Sequence, residues 1–253
     1  ALQHWPRPPV QKCIVRILLL VPIYALGSWV SLFSKQFGTF IDFARDCYEA
    51  YVIYIFFQLL ILFLNGEEIL AEALEAKEAM AHPAPLCMLP KIVLGRDFLL
   101  RCKQFILQFV LVKPTLALIT FFLILLGEYD EGIIFGTTPN MWITLIDNTS
   151  ISFSLYYLVL FYMATADMLT PFKPIEKFFC IKAVVFFTFW QGTLLWALSA
   201  MHVVHFPEEW PQNRVQDFLI CCEMMLIAIA HHWAFGYGEY RASELDEPGA
   251  RQG

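Results

Sequence analysis

Residues 180–204, CIKAVVFFTFWQGTLLWALSAMHVV, hold a single charge, Lys182, in 25 positions. About 20 apolar residues match the ~30 Å hydrocarbon layer of a bilayer, whereas a soluble core helix of this length would keep a polar face. This stretch therefore predicts a membrane span. Trp190, Gln191 and Gly192 interrupt it near mid-depth. An aromatic wall, a side-chain amide and a missing side chain predict a packed or solute-lined position there rather than a lipid-facing one.

The whole chain agrees with that reading. Its 253 residues are 58% hydrophobic and 16% charged, with 24 Phe, too little polar surface for one soluble domain. A formal charge of -6 gives no case for nucleic acid as a partner, and no Lys/Arg cluster in the sequence offers a backbone-binding patch. The seven Cys lack metal-ligand spacing and sit in or beside apolar runs, so packing is their expected role. Palmitoylation of Cys87, Cys102 or Cys180 is a weaker expectation. The chain opens on ALQHWPRPP without an initiator Met, which suggests a segment upstream.

Working outward from the central stretch, five further spans are predicted: 16–33, 48–65, 104–126, 142–163 and 215–235. Pro22 is expected to kink the first. Before the second, Asp42, Arg45, Asp46 and Glu49 fall largely on one helical face. GEEILAEALEAKEAMAH is rich in strong helix formers, so the second helix is expected to continue into water as an extension over 66–80, ended by the prolines of HPAPLCMLP. Asp147, Asn148, Thr149, Ser150, Ser152 and Ser154 make the first half of the fourth span polar, which predicts a face turned away from lipid. The fold class is all-α, a polytopic transmembrane helix bundle over residues 1–240, with 241–253 a disordered polar tail.

Loop charge predicts orientation. With a cytosolic N-terminus, the interior segments hold Arg7, Lys12, Arg16, Lys77, Lys91, Arg96, Arg101, Lys103, Lys173, Lys177 and Lys182, against Lys35, Arg45 and Arg214 outside. Both ends are thus expected in the cytosol. Lys91, Arg96, Arg101, Lys173 and Lys177 are expected beside anionic lipid headgroups.

The expensive residues come next. At 1.5 Å per residue, Lys113 lies roughly 13 Å, Gln191 roughly 16 Å and Glu223 roughly 18–20 Å from the cytosolic boundary. An unpaired charge at mid-bilayer costs at least about 2.5–3.5 kcal/mol, so each predicts a partner or a wet cavity. The functional reading makes Lys113 the anchor of an anionic solute, Glu223 its counter-ion and Gln191 a neutral hydrogen-bonding group. Trp190, Asn148 and Ser152 complete the candidate solute path. A structural Lys113–Glu223 pair, or a snorkelling Lys113, accounts for the same residues without a solute. Pro114 frees a backbone carbonyl near Val110, for a solute or simply for a kink.

Catalytic signatures are missing from the sequence. His202 and His205 lie at the opposite side of the expected membrane from His231 and His232, and no HExxH, GxSxG, P-loop or dinucleotide fingerprint occurs. No metal and no cofactor is expected. Asn148-Thr149-Ser150 matches a glycosylation sequon placed too deep to be modified.

RILLLVPIYALGSWVSL, CYEAYVIYIFF, LQFVLVKP, LYYLVLFY, PFKPIEKFFCIKAVVFFTFWQG and EMMLIAIAHHWAF resemble the organic solute transporter subunit alpha family, and within it the transmembrane protein 184 branch. The resemblance covers about residues 4–240. It implies a seven-helix protein of which this chain shows six spans, beginning after the family's first helix. It also implies facilitated diffusion of steroid conjugates and bile acids with a small single-span partner. For the 184 branch it implies receptor or trafficking roles, in the plasma membrane or endosomal and secretory membranes. LVKP, FFTFWQG and CEMMLIAIAH carry Lys113, Gln191, Glu223 and His231 into family-like positions. Three readings follow. The first is a transporter of amphipathic organic anions, with membrane lipids and a single-span subunit or a second copy as partners. The second is a receptor or trafficking scaffold, and the third an intramembrane enzyme using His231, Asp147 or Asp167.

Overall fold

The computed structural model describes residues 8–33, 35–83, 88, 90–127, 139–201, 203–204, 206–207 and 212–234. Eight α-helices occur among them: α1 Pro8–Leu18, α2 Leu20–Phe33, α3 Lys35–Phe63, α4 Glu67–Glu75, α5 Arg96–Leu126, α6 Pro139–Leu169, α7 Pro174–Ala200 and α8 Gln212–Ala234. No strand forms among the described residues; Met80 and Ile92 make an isolated antiparallel bridge that closes the segment between α4 and α5. The polar tail, His202, His205, Cys87 and most of the acidic loops lie outside the described residues.

Among the described residues, five stretches are long and apolar enough to cross a membrane: Pro8–Phe33, Phe43–Phe63, Arg96–Leu126, Pro139–Phe172 and Arg214–Trp233. The sixth expected span, the central stretch, is helical through Ala200 as α7. Leu111, Leu118, Phe122 and Leu125 of α5 all point outward and are exposed. An outward apolar stripe at helical spacing is what lipid solvates and water does not. The chain is an integral membrane protein, a polytopic helix bundle.

Helix ends follow local chemistry. The Pro22 ring lacks an N–H and clashes with the carbonyl four residues back, that of Leu18. Leu18 is where α1 ends, and the expected first span starts eight residues early, at Pro8, as two helices joined through Leu19. The second helix does not run on into water as expected. Asn65 (φ 64°) and Gly66 (φ 102°) adopt left-handed conformations that end α3 at Phe63. The extension is a separate nine-residue helix, α4, which buries Leu70, Ala71 and Leu74 and stops at Glu75 rather than at residue 80. At the other end of α5, Gly127 (φ 72°) donates its N–H back to Ile124 and Leu123, a left-handed C-terminal stop.

The helices group into two compact units. The first holds α1, α2, α7 and α8. Here α8 packs on both α2 and α7. Buried Ser28 and Ser31 of α2 keep that face low enough for close approach, and Cys221 Sγ of α8 lies 3.8 Å from the Ala25 carbonyl oxygen. Gly192 of α7 serves the same end: a Cβ there would stand 2.8 Å from Gln216 Nε2 of α8. The missing side chain leaves room for the amide end of Gln216, a flexible group that a Cβ would displace, while neighbouring Trp190 is 54% exposed and leans on Phe186. Of the two positions expected for it, packed or solute-lined, Trp190 does not take the packed one.

The second unit holds α3 from Asp42, α4, α5 and α6. Helices α5 and α6 pair antiparallel: Phe105 stacks on Tyr157 at 4.1 Å, and Phe57 of α3 meets Phe161 edge-on at 4.9 Å. Gln108 and Ser150 clamp the pair reciprocally. The Gln108 amide donates to the Ser150 carbonyl (2.8 Å), and the Ser150 hydroxyl donates to Gln108 Oε1 (3.0 Å). Ion pairs Lys103–Glu67 and Lys77–Asp167, both 2.6 Å, fasten α4 and the turn after it to α5 and α6.

Candidate functional site

In the second unit, α5 carries Lys113 into the middle of its apolar run, immediately before Pro114. Pro114 has no N–H to give Val110, and Thr115 Oγ1 donates to Leu111 O at 2.7 Å, so the helix continues through the proline. The Lys113 ammonium donates to Asp147 Oδ2 of α6 at 3.0 Å and pairs with Asp46 Oδ1 of α3 at 3.5 Å. Three helices thus converge on one charge. Side-chain exposures are 19% for Lys113, 26% for Asp147 and 42% for Asp46, so the cluster is closed on its α6 side and open at Asp46.

Two carboxylates around one ammonium leave the cluster formally negative. Arg45 and Glu49, buried on α3 on either side of Asp46, add one charge of each sign. Asp147 Oδ1 is buried without a hydrogen-bond partner. Leaving an acceptor unsatisfied costs about 1–3 kcal/mol, and it marks a place for a donor.

In the first unit, Glu223 of α8 accepts a hydrogen bond from Gln191 Nε2 of α7 at 2.9 Å, while Glu223 Oε2 and Gln191 Oε1 are buried without partners. Glu223 also lines an apolar cavity of about 510 Å³ with Phe179, Cys180, Ala183, Phe187, Leu226 and Ile227. The counter-ions of Lys113 are Asp46 and Asp147, and the partner of Glu223 is Gln191. Each of the two residues expected to form the Lys113–Glu223 couple thus has a polar partner within its own unit.

The model of the organic solute transporter Ostalpha family matches residues 1–240. The chain belongs to this family. A transmembrane protein 184 homolog from Dictyostelium discoideum is 39% identical over 251 residues, covering 94% of this chain and 48% of the relative, so the chain spans about half the length of that protein. No solved structure matches.

Within this Ostalpha-family chain, the polar first half of α6 divides between two faces. Asn140, Ser150 and Ser154 are buried and Asp147 is half-buried. Asn148, Thr149 and Ser152, expected to turn away from lipid, are exposed. Each donates to the carbonyl four residues back: Asn148 to Thr144 (2.8 Å), Thr149 to Leu145 (2.7 Å) and Ser152 to Asn148 (2.6 Å). A hydroxyl or amide satisfied on its own helix no longer needs a buried partner, which is how these residues tolerate the outer face.

Other expected sites have structural employment. Lys177, expected at the headgroups, is 1% exposed and donates to the Phe172 carbonyl at 2.6 Å, filling the junction between α6 and α7. Asp167 is taken by Lys77. His231 is buried, its Nδ1 3.0 Å from the Ile227 carbonyl oxygen. Among the described residues no three His, Cys, Asp or Glu side chains group as a metal site. Asp46, expected only as one of four charges on a helical face ahead of a span starting at 48, is a site residue because α3 runs unbroken from Lys35 to Phe63 and carries it into the bundle.

Proposed function

We propose that this chain is the membrane core of a non-enzymatic transporter of amphipathic organic anions such as steroid conjugates, acting by facilitated diffusion. The single observation that supports this is Lys113 held by Asp46 and Asp147 from two other helices inside the apolar bundle. A bundle needing only to pack would cost less with apolar residues at these positions. In the proposed cycle the ammonium stays charged at all times. The solute's carboxylate or sulfate replaces Asp46, the more distant and more exposed of the two partners, and Asp46 turns to water. Asp147 remains on Lys113, and its free Oδ1 accepts a solute hydroxyl. Asn148, next to Asp147 on α6, and Ser152, five residues on, stay in this reading as the outer margin of the path. The Gln191–Glu223 pair, with Trp190 beside it, is a second polar position, and its apolar cavity suits a sterol-like body.

The test is uptake of a radiolabelled steroid sulfate into proteoliposomes. Asp46→Asn removes the competing carboxylate, so KM should fall about threefold to tenfold with the fold intact. An unchanged or raised KM rules out the exchange at Asp46.

The topology proposed with this function places both described ends in the cytosol. In a cysteine-free background, Glu75→Cys and Glu128→Cys should react with an impermeant maleimide from opposite faces of sealed vesicles. Reaction from one face would refute the arrangement.

A further inference from the structure

A cavity of about 750 Å³ opens in the second unit beside the N-terminus of α5. Its wall carries the exposed cations Lys91, Arg96 and Arg101. None of the three has a hydrogen bond or ion pair among the described residues. The contrast within the same unit is informative: Lys77, Lys103 and Lys113 are each taken by a carboxylate at 3.0 Å or less. Two carboxylates, Glu75 and Asp97, share the wall, which leaves it with one net positive charge. Gly95 caps α5 without a side-chain hydrogen bond, so the first N–H groups of a 31-residue helix face the same space.

Depth identifies the surroundings. At ~1.5 Å per residue α5 is roughly 46 Å long, about ten residues more than a ~30 Å core needs. Its far end, FFLILL, is wholly apolar, whereas its start, RDFLLRCK, is not. The surplus lies at the start, and the cavity opens in the headgroup layer.

Independently of the transport reading, we propose that this cavity binds the headgroup of a phosphoinositide lipid. Guanidinium forks of Arg96 and Arg101, with Lys91, match phosphomonoester oxygens. Glu75 and Asp97 would repel a bare phosphate but accept hydrogen bonds from ring hydroxyls. The volume suits a whole polyol ring rather than one phosphate, since sites of roughly 300–1,000 Å³ hold complete small molecules. A scatter of surface lysines would meet any anionic lipid equally. Converging cations with paired acceptors discriminate between a phosphorylated ring and a plain phosphate.

The experiment uses the full chain in phosphatidylcholine nanodiscs doped with phosphatidylinositol bisphosphate, phosphatidic acid or phosphatidylserine, with bound lipid read by native mass spectrometry. Phosphatidylinositol bisphosphate should be retained most tightly. The combined Lys91→Gln, Arg96→Gln and Arg101→Gln variant should lose about a hundredfold in that affinity, with unchanged helical circular dichroism. Lys12→Gln with Lys173→Gln should lose less than threefold. Glu75→Gln with Asp97→Asn should narrow the preference over phosphatidic acid at least fivefold while leaving the protein folded. Equal losses in the Lys12/Lys173 control, equal retention of phosphatidylserine, or an unchanged preference in the Glu75/Asp97 variant would each overturn the proposal. Soluble inositol trisphosphate binding as tightly as the lipid would move the site to a free phosphate and overturn the lipid assignment.

Discussion

Replacing Lys113 by Met is expected to destabilise the bundle by about 3 kcal/mol, at the lower end of the 3–5 kcal/mol typical of breaking a buried ion pair. The loss is not that of a favourable contact so much as the exposure of Asp46 and Asp147 to one another, two carboxylates on facing helices with their common ammonium gone. The 42% exposure of Asp46 lets water screen part of that repulsion, hence the lower end. Adding Asp46→Asn and Asp147→Asn should restore most of the stability, because a wholly neutral cluster leaves no uncompensated charge. Reversible unfolding in mixed micelles measures both. No rescue by the two Asn substitutions would mean that Lys113 holds the helices by some route other than these carboxylates.

The second large effect concerns packing. Phe161, fully buried and edge-on to Phe57, should cost about 2–4 kcal/mol when cut to Ala. In a membrane little of this is transfer from water, since the lipid is as apolar as the core. The cost comes from the cavity left behind and the lost aromatic pair. Phe122→Ala, on the outward face of α5, should cost less than about 0.5 kcal/mol, because lipid fills the space. Equal costs for the two would show that the outer face of α5 is packed against protein.

Hydropathy made the helices legible because lipid imposes one rule on every residue of a span. Pro22 and Pro114 could likewise be read, since proline acts on its own backbone, whereas α7, expected from residue 180, starts six residues earlier at Pro174. Partnership was less legible. Lys113 announced itself as a residue that needs a counter-charge, but the choice among Asp46, Asp147 and Glu223 depends on which helices face each other and in what register. One residue per helix carries no register. Asp46 shares its helical face with Asp42, Arg45 and Glu49, and four charges in eight residues do not say which of them meets a partner. On α6 the polar run could be seen but not its division into faces, because hydroxyl and amide bonds to the helix's own carbonyls let Asn148 and Ser152 sit outside. The break at Asn65 and Gly66 was overridden by the strong helix propensity that follows it: propensity sums over a window, whereas two left-handed residues suffice to end a helix.

In the proposed transporter the Lys113 cluster handles a solute anion and does not merely close the bundle. The neutral variant Asp46→Asn, Lys113→Met, Asp147→Asn separates the two, measured as initial uptake of a labelled steroid sulfate per folded molecule in proteoliposomes. Near-native unfolding free energy with uptake reduced at least fiftyfold is the expected result; uptake that follows the folded fraction, whatever stands at residue 113, would remove Lys113 from transport.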